Sequence, residues 1–198
     1  TAAQYFHVLR RQALLLETDP LPLIVLTPKS LLRHPMVASP PRELAEGRFR
    51  LVIDDETRAG TPAKVKRLVL CSGKVYVDLV SSEARTAAAD VAVARVEQLY
   101  PFPAEAIRGL LERYTKLREV CWVQEEPENM GGWESVRPEL ERLIDGRWPL
   151  RYVGRVRNSS PSEGSSAWHQ ANQRALVAQA FEAKADVPDA GRVVAKQV

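Results

Sequence analysis

The chain has 198 residues, 45% of them apolar and 27% charged, with a formal charge of +3. That is ordinary globular composition, and basic residues scattered among acidic ones exclude a continuous nucleic-acid stripe. The longest apolar run, LPLIVL at 21–26, is far too short to span a bilayer, and no charged-then-apolar leader precedes it, so neither membrane insertion nor secretion is expected.

In chain order, AAQYFHVLRRQALLL at 2–16 places Phe6, Leu9, Ala13 and Leu16 on one stripe, which predicts a helix with a wide apolar face. Pro20 and Pro22 end it, and LPLIVLT predicts a short buried strand of the parallel type. Residues 34–63 hold four prolines and read as a surface connector carrying a short RELAE helix and an FRLVI strand. From residue 64 strands alternate with helices. KRLVLCS precedes a helix over VYVDLVSSEARTA, DVAVARV precedes AEAIRGLLERY, and EVCWVQE precedes WESVRPELERLI. LRYVGRV is a further strand, and SSPSEGSS offers serine caps to a last helix, WHQANQRALVAQAF. This alternation predicts an α/β fold, a mostly parallel sheet with helices on both faces. The domain organisation expected is 1–35 as the end of one domain, 36–63 as connector, and 64–198 as a second α/β domain whose tail frays from about residue 184.

Cys71 and Cys121 lie in apolar strand-like runs and read as buried free thiols of a reducing compartment. Two cysteines and three histidines without CxxC or HxxxH spacing make no metal site.

Ligands of open parallel sheets bind where strands turn into helices at their carboxyl ends. Three such turns carry candidate chemistry. In CSGKVY, Gly73 permits a tight turn and Lys74 adds charge at a helix start, which suits a phosphate or carboxylate; the alternative is a small turn with a solvated lysine. In WVQEEPENMGGW, Glu125 and Glu126 alternate across the strand and cannot aim at one scissile bond, so a structural turn is expected, with Glu126 or Asn129 free to cap the following helix. Arg155 and Arg157 run into SSPSEGSS, with His169 opening the last helix, a second anion-friendly stretch or a solvated loop. His7, between Phe6 and Val8, is either a hydrogen-bonded core residue or a catalyst. No GxSxG elbow and no cysteine with a histidine partner is present, so residue chemistry alone names no reaction.

Five segments, YFHVLRRQ, LTPKSLLRHP, CSGKVYVDL, VARVEQLYPFP and WVQEEPENMGGW, occur in that order. Together they resemble the carboxyl-terminal part of the thiamine-dependent component of the 2-oxoglutarate dehydrogenase complex, over residues 2–182. The resemblance implies that 1–35 close a pyrimidine-binding middle domain. It implies that 64–198 form a Rossmann-like domain of the transketolase carboxyl-terminal type. It also implies a cytoplasmic, homodimeric enzyme that decarboxylates 2-oxoglutarate on thiamine diphosphate and Mg, held mainly by upstream segments. The succinyl unit then passes to a lipoyl group of the dihydrolipoyl succinyltransferase component in the tricarboxylic acid cycle. On this likeness His7 matches the active-site histidine. Thr27, Arg42, Ser72, Lys74, Gln124 and Arg155 match positions that bind an effector, AMP or acetyl-CoA, in some relatives. The isolated chain is expected to be inactive. Two alternatives are a non-catalytic effector-binding and dimerisation module, and the same domain of another thiamine-dependent 2-oxoacid dehydrogenase.

Overall fold

The computed structural model describes residues 1–182; the expected fraying of the tail from about residue 184 lies outside the described residues. Helix α1, Ala2–Leu15, begins at Thr1, whose side chain accepts from the Gln4 N–H. The connector carries α2, Pro41–Glu46, and β1, Val52–Ile53, among several single turns of 3-10 helix. The regular block follows as β2 (Arg67–Cys71), α3 (Val75–Val80), α4 (Glu83–Ala87), β3 (Val91–Val96) and α5 (Ala104–Arg113). It is completed by β4 (Glu119–Pro127), α6 (Trp133–Ile144), β5 (Leu150–Arg155) and α7 (Ser166–Phe181).

The strands form one sheet in the order β1-β3-β2-β4-β5. β3, β2, β4 and β5 are parallel, and only the two-residue β1 runs antiparallel, pairing Val52 with Val96. The parallel strands are buried on both faces, which is why RLVLC, VAVARV and EVCWV read as continuous apolar runs rather than alternating ones. One face carries Leu68, Leu70, Val120 and Trp122 against Ile107 and Leu111 of α5 and Trp133 and Leu140 of α6. The other carries Val69, Cys71, Cys121 and Val123 against Val75 and Leu79 of α3 and Leu176, Val177 and Ala180 of α7. The α/β architecture with helices on both faces is therefore as expected.

Two local expectations fail. LPLIVLT is not a strand: residues 19–28 have no regular structure and are exposed, Ile24 by 82% and Leu26 by 92%. A buried parallel strand needs neighbours to bond both its edges and helices to cover its faces, and the sheet edge nearest in sequence is taken by β1. The single helix expected over residues 75–87 is two, because Ser82 caps α4: its hydroxyl accepts from the Arg85 N–H and its chain is extended.

A buried polar brace ties the connector to the sheet. Asp55 accepts from Arg85, from the Val93 N–H at 2.9 Å and from the Thr57 hydroxyl at 2.6 Å. Arg85 also donates to the Val91 carbonyl at 2.5 Å. Both side chains of the pair are almost fully buried, so each charge depends on the other.

Candidate functional site

His7 is held by the packing of α1 on α2 and the chain before β1. The Ala3 N–H donates to Ser39 Oγ at 3.1 Å. The Gln4 carboxamide pairs with the Arg50 backbone as a strand would, donating to its carbonyl at 2.8 Å and accepting from its N–H at 2.9 Å. These anchors bury His7 to 3% exposure. Its Nε2 lies 2.7 Å from the Glu43 carbonyl oxygen. A carbonyl only accepts, so Nε2 bears the hydrogen, and Nδ1 is a buried acceptor without a protein partner among the described residues. A cleft of about 770 Å³ opens beside it, lined by His7, Arg10, Arg11, Arg48, Phe49 and Arg50 among others. The lining sets four arginines beside an apolar wall that includes Leu14, Leu15, Leu51 and Val52, and Arg11 stacks 4.4 Å from the Phe49 ring centre.

The second constellation stands at the carboxyl ends of β2, β4 and β5. Gly73, at φ 75°, turns the chain out of β2 into α3 in the left-handed region that a side chain would oppose. Lys74 Nζ then lies 2.5 Å from Asp78 Oδ2, one helical turn on, and 3.2 Å from Glu125 Oε1. Gln173 of α7 donates to the same two carboxylates, at 2.8 Å each. Arg155 contacts Glu163 Oε1 at 2.5 Å, donates to the Glu125 carbonyl, and reaches Gln173 Oε1 and His169 Nδ1 at 3.2 Å. Asn172 donates to Glu163 at 2.8 Å. A smaller cavity of about 250 Å³, lined by Arg155, Glu163 and Asn172 among others, lies alongside.

Two cations thus face three carboxylates. Burial works to lower the pKa of Lys74, but the hydrogen bond to Asp78 and the charge of Glu125 outweigh it and raise it above the ordinary lysine value. Glu163 is held down to about 2 by the hydrogen bonds from Asn172 and Arg155. Lys74 and Glu163 therefore stay ionised at neutral pH, and an incoming anion has to displace Glu125 or Glu163 from its cation.

Four of the expected effector positions, Ser72, Lys74, Gln124 and Arg155, come to this edge of the sheet. Ser72 is half-buried and its side chain makes no hydrogen bond among the described residues. Gln124 is buried and its carboxamide is engaged. Its oxygen accepts from Trp122 Nε1 and the Trp133 N–H at 3.0 Å, and its nitrogen donates to the Met130 carbonyl at 2.7 Å. It therefore caps α6, the task expected of Glu126 or Asn129. Glu126 is exposed, and Asn129 instead exchanges two hydrogen bonds with the Asn158 backbone. Thr27 and Arg42 stay apart from the cluster: Thr27 is exposed in the irregular segment after α1, and Arg42 pairs with Glu46 at 2.8 Å on the solvent face of α2. Arg157 is exposed as well.

Sequence reasoning overlooked Asp78, Glu163, Asn172 and Gln173, which complete the cluster, and Glu43 and Gly47, which meet His7. The Lys74–Asp78 spacing of four on a helix was a readable signal; the others come together only through long-range packing.

Comparison with known proteins gives the following likenesses. The family described as 2-oxoglutarate dehydrogenase C-terminal matches residues 38–181. A Bacillus mycoides (strain KBAB4) protein named 2-oxoglutarate dehydrogenase E1 component is 46% identical over 189 residues, covering 93% of this chain and 20% of that protein. The protein of the same name from Bacillus cereus (strain G9842) is likewise 46% identical, and that from Bacillus cereus (strain AH820) is 44% identical, with the same coverage. The chain spans about a fifth of the length of these relatives.

Proposed function

Because this chain belongs to the 2-oxoglutarate dehydrogenase C-terminal family, we propose that it is the carboxyl-terminal segment of a thiamine diphosphate-dependent 2-oxoglutarate decarboxylase. In this reading the longer enzyme passes the succinyl unit to the lipoyl group of a succinyltransferase partner and works as a homodimer in the cytoplasm. The observation that supports it most is the likeness over 189 residues to proteins named for that component. Residues 1–35 then close a middle domain and 64–198 form the carboxyl-terminal domain, with β1 of the connector bonded into its sheet.

The described residues include no group of three or more His, Cys, Asp or Glu side chains able to hold a metal. The described residues therefore offer no set of side chains that fits a cofactor-bound Mg. In the proposed enzyme the diphosphate and its metal belong to segments outside this chain. What this chain supplies is His7, whose Nε2–H is committed to the Glu43 carbonyl and whose Nδ1 has no hydrogen-bond partner among the described residues. The basic cleft beside it, with Arg10, Arg48 and Arg50, favours an anionic reactant such as a 2-oxoacid.

We further read Ser72, Lys74, Gln124 and Arg155 as the floor of an effector site for AMP or acetyl-CoA, joined by Thr27 and Arg42 from flanking segments. Phosphate oxygens there replace the Glu125 and Glu163 carboxylates on Lys74 and Arg155. Gln124 contributes by holding the turn, since its carboxamide is already engaged.

The test is a substrate profile. A full-length chain carrying this segment, supplied with thiamine diphosphate and Mg, is expected to decarboxylate 2-oxoglutarate and not pyruvate, and the isolated 198-residue chain to turn over neither. Preference for pyruvate assigns the chain to another 2-oxoacid dehydrogenase, and turnover by the isolated chain contradicts the assignment of the cofactor site to other segments.

A further inference from the structure

We propose that the Glu43 backbone carbonyl and the side-chain-free Gly47 form a positioning element that fixes the His7 imidazole in a single tautomer, hydrogen on Nε2 and lone pair on Nδ1. The inference rests on the reading of His7 as a catalytic residue and names what sets its chemistry.

Glu43 lies in the short helix α2, near its end, where helix carbonyls lack a partner four residues on. His7 Nε2 takes that place at 2.7 Å, in surroundings that leave the ring 3% exposed. The arrangement exists only because residue 47 is glycine. A Cβ there would overlap the Glu43 oxygen and stand 2.7 Å from His7 Nε2, inside both contact limits. The backbone of Gly47 is ordinary, φ −79° and ψ −177°, so glycine is needed for space and not for conformation. Arg10, one turn after His7 on α1, donates to the Gly47 carbonyl at 3.3 Å and closes the junction from the solvent side.

The tautomer follows from hydrogen-bond chemistry. With Nε2–H given to a carbonyl, the neutral ring has no hydrogen left for Nδ1, which is buried and unpartnered among the described residues. A half-turn of the ring about Cβ–Cγ would break the Glu43 bond and set the Cε1–H against the carbonyl oxygen, a far weaker contact. His7 therefore presents an acceptor, never a donor, from Nδ1 while it is neutral. Glu43 and Gly47 touch no reactant; they are positioning residues acting through His7.

The experiment is a long-range proton–nitrogen correlation spectrum of the 198-residue chain at about pH 8, where ordinary histidines are neutral. The chain has three histidines, His7, His34 and His169, and His34→Gln and His169→Gln variants assign the lines. The expected result is one His7 line set with a protonated Nε2 and an unprotonated Nδ1; an Nδ1-protonated or averaged ring overturns the proposal. Gly47→Ala is expected to give averaged His7 lines while those of His34 and His169 stay in place, and an unchanged His7 tautomer in that variant overturns the role of Gly47. Should Gly47→Ala unfold the chain, the wild-type spectrum alone decides. In a full-length chain carrying this segment, Gly47→Ala is then expected to lower kcat about a hundredfold with KM nearly unchanged, as misplacing a reacting group does. An averaged tautomer with unchanged turnover would retain the positioning element and remove the catalytic reading of His7.

Discussion

Replacing Gln124 by methionine tests how the turn after β4 is held. The side chain is 4% exposed, beside Trp122 at 1% and Trp133 at 6%. Methionine keeps its length but offers neither acceptor nor donor. The substitution strands two buried donors, Trp122 Nε1 and the Trp133 N–H, and the Met130 carbonyl that accepts at 2.7 Å. Each stranded group costs about 1–3 kcal/mol, and better burial of the thioether returns roughly 1–2 kcal/mol. With each of the three groups taken toward the low end, at about 1.5 kcal/mol, they cost about 4.5 kcal/mol together, and the net loss is roughly 2–4 kcal/mol. For a chain of this size each kcal/mol lowers Tm by about 2–4 °C, so a fall of roughly 5–15 °C is expected. Urea unfolding followed by tryptophan fluorescence gives the same quantity as a shifted midpoint at constant slope. A loss below about 1 kcal/mol would refute the view that this carboxamide, and not the neighbouring glutamates, organises the turn.

Three further outcomes follow from buried or charged groups. Asp55→Ala leaves Arg85 buried without its counter-charge and is expected to cost about 3–5 kcal/mol in the same urea assay. Burial pushes the Cys71 thiol above the usual range and Cys121 up to about 11, so a thiol-specific chromogenic reagent is expected to label neither in the folded chain and both after unfolding. Glu163 has its pKa lowered from 4.5 to about 2, so its contribution to stability is complete above about 4.5 and is lost as pH falls from there through about 2. Unfolding midpoints measured across that window are expected to fall less steeply in Glu163→Gln than in the parent.

The regular half of the molecule was legible because its strands are buried on both faces and its helices repeat their apolar groups every three to four residues. RLVLC, VAVARV and EVCWV carry that signal in composition alone, and Ile107, Leu110 and Leu111 carry it in spacing. LPLIVLT carries the same composition and forms no strand, because composition cannot say whether a partner edge is available. At the site, Lys74 and Arg155 were readable as cations at strand ends. Their neutralisation by Glu125 and Glu163 was not, since the first pair depends on β4 lying beside β2 and the second on where the loop before α7 is packed. Gln124 shows the limit most clearly: it is a close sequence neighbour of Glu126, yet only the folded turn places Trp122, Met130 and Trp133 around its carboxamide. Gly47 gave no signal at all, because its backbone is ordinary and only the approach of His7, from a distant part of the chain, excludes a side chain there.

On the proposed function, His7 takes part in decarboxylation of 2-oxoglutarate. The most direct measurement is pre-steady-state decarboxylation by a full-length chain carrying this segment, with His7→Ala beside the parent and the far-ultraviolet circular dichroism of both matched. A positioned acid–base group contributes about 10²–10⁴ in rate, and a loss of that size with the fold intact is the expected result. A rate within about twofold of the parent would contradict the account and leave His7 a buried core histidine bonded to Glu43.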